Sequence, residues 1–189
     1  MSNDLTLYKE KNTTHLIEIS SKDELPSEIK ADGVLIKTNG NEKETRRIID
    51  KLKGKPFKIA LQAHDNVFNR RALETMKINY LVSPEKEIKK DNLKQRDSGL
   101  NHILAKIAKK NNIAIIINHN ELTTLPPKEK ATQLSRIIQN ISICRKANCE
   151  IKIASLGENK DQLITPKDRQ TLFSTLKATS KQTKISTKF

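Results

Sequence analysis

The sequence predicts an α/β fold of parallel βα units with six to seven strands, and three observations carry that prediction. Short apolar runs alternate with segments of helical periodicity along most of the chain. Residues 113–118 read Ile-Ala-Ile-Ile-Ile-Asn, the continuous β-branched run that a parallel strand covered on both faces requires. Neither Gly-x-Gly-x-x-Gly after the first strand nor Gly-x-x-x-x-Gly-Lys-Ser/Thr occurs, so the nucleotide-binding open sheets lose their usual support. The alternation by itself is compatible with a barrel or with an open doubly wound sheet.

In order along the chain, the opening residues are polar apart from Leu5, Leu7 and Tyr8, which suits an edge strand or a frayed arm equally. Residues 15–19 and 33–38 read as strands, with a short helical or irregular piece over 26–30 between them. Over 41–53, Ile48, Ile49 and Leu52 keep helical spacing, and Gly54-Lys55-Pro56 ends the element. The strand 57–62 follows directly. Val67, Leu73 and Met76 mark the next helix, which Asp65 can cap, and the strand 80–83 stops at Pro84.

Residues 86–95 form a charged connection carrying Lys86, Lys89, Lys90 and Lys94. It leads to a helix over 103–111 in which Leu100, Ile103, Leu104, Ile107 and Ala108 make one apolar stripe, with Asp97 placed to cap its start. His102, Lys106 and Lys109 fall on the opposite side, beside Arg96. After Pro126-Pro127 a long helix runs to about residue 146, with Leu134, Ile137, Ile138 and Ile141 inward and Lys130, Arg136 and Arg145 outward. Residues 150–155 make the next strand. Thr165 caps the following helix, Pro166 sits in its first turn where a missing N–H costs nothing, and Leu172, Phe173 and Leu176 form its buried side. The expected organisation is a single α/β domain over 1–178 and a basic, loosely ordered tail over 179–189.

Lys plus Arg number 36 against 22 for Asp plus Glu, a formal charge of +14 that draws polyanions without choosing among them. No apolar run is long enough for a membrane span and no signal pattern opens the chain, so a soluble, cytoplasmic protein without a membrane partner is expected. Cys144 and Cys149 form no Cys-x-x-Cys pair and have no nearby His, which points to reduced structural thiols. The four histidines are scattered, without the clustered carboxylates of a metal centre.

Function in such folds gathers where strands end. An enzyme reading makes His64 with Asp65, or His119 with Glu121, the acid–base groups of a small metal-free barrel enzyme. The bland alternative is that Asp65 caps a helix and the histidines are surface residues. The basic residues gain meaning by grouping, since affinity for a polyanion grows with the phosphates neutralised together. Arg96, His102 and Lys106 make one group, and Arg70-Arg71 and Lys167 with Arg169 could line the same face. With four Phe, two Tyr and no Trp, phosphate and shape recognition of a folded RNA is a more natural mode than base stacking. A non-specific basic RNA-binding protein would need the charge alone.

Arg96-Asp97-Ser98-Gly99-Leu100-Asn101-His102-Ile103-Leu104-Ala105-Lys106, followed by the strand-like 113–118, resembles the signature of protein component 3 of archaeal ribonuclease P. That family is the relative of the thirty-kilodalton subunit of the eukaryotic enzyme. The resemblance implies a TIM-like barrel, and because eight full units average about 30 residues each, 189 residues imply a trimmed or imperfect one.

It further implies a subunit of the endoribonuclease that removes the 5′ leader of precursor tRNA. In that setting catalysis resides in the ribonuclease P RNA and its Mg2+. The protein binds no cofactor of its own, is not catalytic alone, supports the RNA fold, pairs with another protein subunit and meets precursor tRNA indirectly. The carry-over makes Arg96, His102 and Lys37 RNA-contacting residues, makes Asp97 and Gly99 structural, and extends to Pro166 and Asp168. The family's stretch between its early and middle strands is shorter here by a βα unit. Its Ser-Ser-Ala-like strand end is Ala154-Ser155-Leu156.

Overall fold

Alternate side chains of a strand point to opposite faces, and here both faces are apolar, so each strand feeds two cores. In the computed structural model, which describes residues 4–26, 28–88, 91 and 96–189, seven parallel strands pair in chain order. They are β1 (Leu5–Thr6), β2 (Thr14–Ile19), β3 (Gly33–Ile36), β4 (Lys58–Gln62), β5 (Tyr80–Val82), β6 (Ala114–Asn118) and β7 (Ile151–Ala154). One set of side chains, including Leu16, Leu35, Ala60, Val82, Ile116 and Ala154, fills the barrel interior. The other, including Val34, Ile36, Leu61, Leu81, Ile115 and Ile153, packs beneath the helices.

Two backbone hydrogen bonds bridge the edges, from Leu156 N–H to the Leu5 carbonyl at 2.9 Å and from Leu7 N–H to the Gly157 carbonyl at 3.0 Å. A buried clasp reinforces this seam. Arg169 Nη1 donates to Asp4 Oδ1 at 2.7 Å, while Ser155 donates to Asp4 through its N–H at 2.9 Å and its Oγ at 2.6 Å. The result is a nearly closed, TIM-like barrel one strand short of the usual eight. The opening segment is therefore a strand, β1, paired with β2 and not a frayed arm.

The helices are α1 (Glu42–Leu52), α2 (Asn66–Thr75), α3 (His102–Lys110), α4 (His119–Thr124), α5 (Pro127–Ala147), α6 (Pro166–Thr175) and α7 (Ser180–Ile185). Asn41, Asp65 and Thr165 cap α1, α2 and α6 through their side chains. Several expectations are corrected. Between β2 and β3 a 3-10 turn at Lys22–Glu24, which the pattern does not show, precedes the irregular stretch over 28–30. Val67 is 60% exposed, because Phe68 turns inward in its place. Arg136 is buried, donating to the Ile88 carbonyl and to Asp91. The tail expected to be loose forms α7; Ser186 and Thr187 are buried, Ile153 N–H donates to the Ser186 carbonyl, and Phe189 packs edge-on against Tyr80. Among the described residues, no helix is long and apolar enough to cross a membrane.

Candidate nucleic-acid interface

The connection from β5 to α3 must reverse direction beside α2, and one residue makes the close approach possible. Gly99 has φ +71°, and a Cβ there would lie 1.8 Å from the Pro84 carbonyl oxygen, so a side chain is excluded by backbone conformation and by contact. Asp97 Oδ1 accepts from Gly99 N–H at 3.0 Å and Oδ2 from Asn66 Nδ2 at 2.6 Å, which holds the turn and ties it to α2. Asp97 is thus structural, as expected, but it does not cap α3. Asn101 does, accepting from Ile103 and Leu104 N–H at 2.9 Å each.

This arrangement opens a groove of about 850 Å³ between α2, the turn, α3 and α5, lined by Arg70, Arg71, Arg96 and His102. Val67 and Ile103 also line it, and Ile103, expected in the buried stripe, is 62% exposed; Leu104, Ala105 and Ala108 carry the packing instead. The anticipated meeting of Arg70-Arg71 with the Arg96 group is therefore present.

Each arginine of the groove already has a carboxylate. Arg70 Nε lies 2.8 Å from Glu74, Arg71 Nη1 2.5 Å from Glu42, and Arg96 Nε 3.7 Å from Asp91. Hydrogen bonds from Arg71 and Arg46 hold the Glu42 carboxyl below the usual range, and Arg136 does the same for Asp91. Such exposed pairs are worth only about 0–1 kcal/mol, so a phosphate can displace a carboxylate at little cost. His102 and Lys106 are exposed and form no ion pair among the described residues. Lys89, Lys90 and Lys94 of the charged connection lie outside the described residues.

The remaining expected residues lie elsewhere. Lys37 follows β3 and pairs with Glu18 at 2.7 Å. Lys167 is exposed in the first turn of α6, where Asp168 completes the cap by accepting from Thr165 Oγ1 at 2.7 Å. Arg169, expected to contact RNA, is 1% exposed and committed to Asp4 and the Ile153 carbonyl, so it is a seam residue. Burial pushes the Asp4 carboxyl upward although Arg169 and Ser155 oppose the shift. His64 stands edge-on to Phe68 while Asp65 caps α2. Burial, followed by the nearby Arg169 charge, lowers the pKa of His119, and Glu121 accepts from Ser83 and Lys86. Among the described residues neither histidine hydrogen-bonds the carboxylate the enzyme reading assigned to it.

Glu85 and Asn140 were not expected from the sequence. Glu85 is 1% exposed, and burial raises its carboxyl to about 7, with Glu121 adding to the rise and hydrogen bonds from Gln133 and Asn140 opposing it. Asn140 Nδ2 reaches both Glu85 Oε2 at 3.3 Å and the Ser98 carbonyl at 3.1 Å, so this buried pair underlies the turn that carries Arg96. A lone Glu in a loop and a lone Asn in a helix leave no pattern from which this could be read.

No family model matches the chain. It is 30% identical over 144 residues to ribonuclease P protein component 3 of Methanocaldococcus jannaschii, covering 76% of this chain and 59% of that protein. It is 26% identical over 138 residues to the protein of the same description from Methanothermobacter thermautotrophicus, covering 73% and 53%. The chain thus spans somewhat over half the length of these curated relatives. Its fold matches a chain in a cryo-EM structure of archaeal ribonuclease P with mature tRNA, with TM-score 0.71, 26% identity, and coverage of 90% of this chain and 76% of that one. A crystal structure of an amidohydrolase shares the fold alone, with TM-score 0.58 and 14% identity over 84% of this chain and 41% of that one. With the motif from Arg96 to Lys106 set on a parallel barrel, this chain is similar in sequence and in fold to ribonuclease P protein component 3 proteins over somewhat more than half of their length.

Proposed function

We propose that the chain acts as a protein subunit of ribonuclease P, supporting the RNA subunit in removing the 5′ leader of precursor tRNA. The observation that carries the reading is the groove that gathers Arg70, Arg71, Arg96 and His102 on a barrel shared with a chain of archaeal ribonuclease P. In this reading phosphates of the folded RNA exchange with Glu74, Glu42 and Asp91 on the arginine forks, whose planar donors suit bidentate contact. The exposed Lys106 and Lys167 and the half-buried Lys37 add long-range attraction, and the protein works in the cytoplasm. Mg2+ serves the RNA, which performs the cleavage, and the protein subunits position it. A second protein subunit and precursor tRNA complete the assembly.

Reconstitution with a ribonuclease P RNA and its other protein subunits tests this. Adding the chain should raise the rate of leader removal at limiting Mg2+, and R96A/H102A should lose most of that gain. No gain from the wild-type chain overturns the reading. Turnover of a small molecule that depends on His64 or His119 would favour the barrel enzyme instead.

A further inference from the structure

In a parallel barrel every helix-to-strand turn lies at the same end, where the strands begin. Here the α1–β4, α2–β5, α3–β6 and α5–β7 turns are neighbours, because β4, β5, β6 and β7 pair in that order. These turns carry Lys53, Lys55, Lys77, Lys109, Lys110 and Lys146, all exposed. None of them forms an ion pair among the described residues, in contrast to the arginines of the α2–α3 groove. A trough of about 740 Å³ joins Lys53, Lys55 and Lys77 on one side of this arc.

Lys109, Lys110 and Lys146 sit in the last turns of their helices, where the macrodipole favours cations for purely structural reasons. Lys53 is the C-cap of α1 and Lys77 follows the C-cap of α2, where the same dipole acts, whereas Lys55 stands beyond the end of α1, and all three are gathered by the trough. Carboxylates do little to cancel the arc. Of Asp50, Glu74 and Glu150, which line its two hollows, Glu74 is held by Arg70 and Glu150 by Lys152.

We propose that this N-terminal end of the barrel is a second nucleic-acid face, binding the phosphate backbone of an RNA double helix independently of the α2–α3 groove. An arc of unpaired point charges fits successive phosphates. Ile49, Leu52, Phe57, Ile59, Met76 and Ile78 line the trough too, but they are buried or half-buried beneath the lysines, and the large exposed hydrophobic side chains of the described residues, Val67 and Ile103, both line the other groove, so charge dominates what this end offers a partner. The inference does not depend on the ribonuclease P reading, because it concerns any A-form helix.

The test is binding of the full chain to a fluorescent 20-base-pair RNA duplex across a salt series. K53Q/K55Q/K77Q should weaken binding about tenfold or more and lower the log–log salt slope by about two to three, as expected for lost phosphate contacts. A charge-matched control, K43Q/K128Q/K160Q, removes exposed lysines from the opposite end and should change affinity less than about threefold. Equal losses for both variants would reduce the effect to net charge and overturn the proposal. It would also be overturned if K53Q/K55Q/K77Q bound like wild type, or if it lost affinity for phosphatidylserine vesicles but not for the duplex.

Discussion

The C-terminal and N-terminal ends of this barrel treat charge in opposite ways. Around the first, Arg70, Arg71 and Arg96 face Glu74, Glu42 and Asp91, Arg169 is sealed against Asp4, and Glu85 is buried beneath the motif turn. At the second, lysines occupy successive turns and form no ion pair among the described residues. A net charge of +14 is therefore a poor guide to where a polyanion is held. What matters is whether a paired cation is sealed, as Arg169 is, or exposed, as the groove arginines are. Sealed charge should report on stability when removed, and exposed charge on binding.

The largest expected effect is at the seam. R169A leaves the Asp4 carboxyl buried without its cation and should cost about 3–5 kcal/mol in urea unfolding; a loss no greater than that of a surface lysine would remove the contrast between the ends. Glu85 comes next, with the opposite sign. Its native carboxyl keeps its proton up to about pH 7 whereas the unfolded chain releases it near the ordinary value of 4.5, so wild-type stability should fall as pH rises through that window and level off above it. E85Q should remove that slope and be more stable than wild type by up to about 3 kcal/mol at pH 8, with little difference at pH 4.

G99A should cost about 2 kcal/mol through the positive φ and the Pro84 contact, and should reduce any function of Arg96 along with it. Smallest in stability is K53Q/K55Q/K77Q, expected within about 0.5 kcal/mol of wild type by thermal unfolding. A larger loss there would make the N-terminal lysines structural and sharpen the comparison in the other direction.

Periodicity made most of the barrel legible before any coordinates. The strand 113–118 and the helix capped by Thr165 are found essentially where the pattern puts them, because β-branched runs and cap residues act locally. The segment from Arg96 to His102 was legible as a turn entering a helix, and the groove brings Arg96 and His102 together with Arg70 and Arg71. What could not be read are long-range pairings. Arg169 looked like any cation near a helix start until Asp4, distant in sequence, came to lie against it. Ile103 and Val67 fit an apolar stripe, yet Ala105 and Phe68 take the inward positions, since a helix buries only as wide a face as its neighbours cover. Asp97 and Asn101 are both good capping residues, and only backbone geometry decides between them.

The clasp between Asp4, Ser155 and Arg169 has a consequence for how the chain acquires its shape. Its members are separated by 151 and 165 positions, so the first strand cannot complete its contacts on the far side until the chain as far as Arg169 is available. The intervening units pair locally, each with the one before it, and can assemble as they leave the ribosome. Ring completion is then the last event of folding and carries the largest loop-closure entropy.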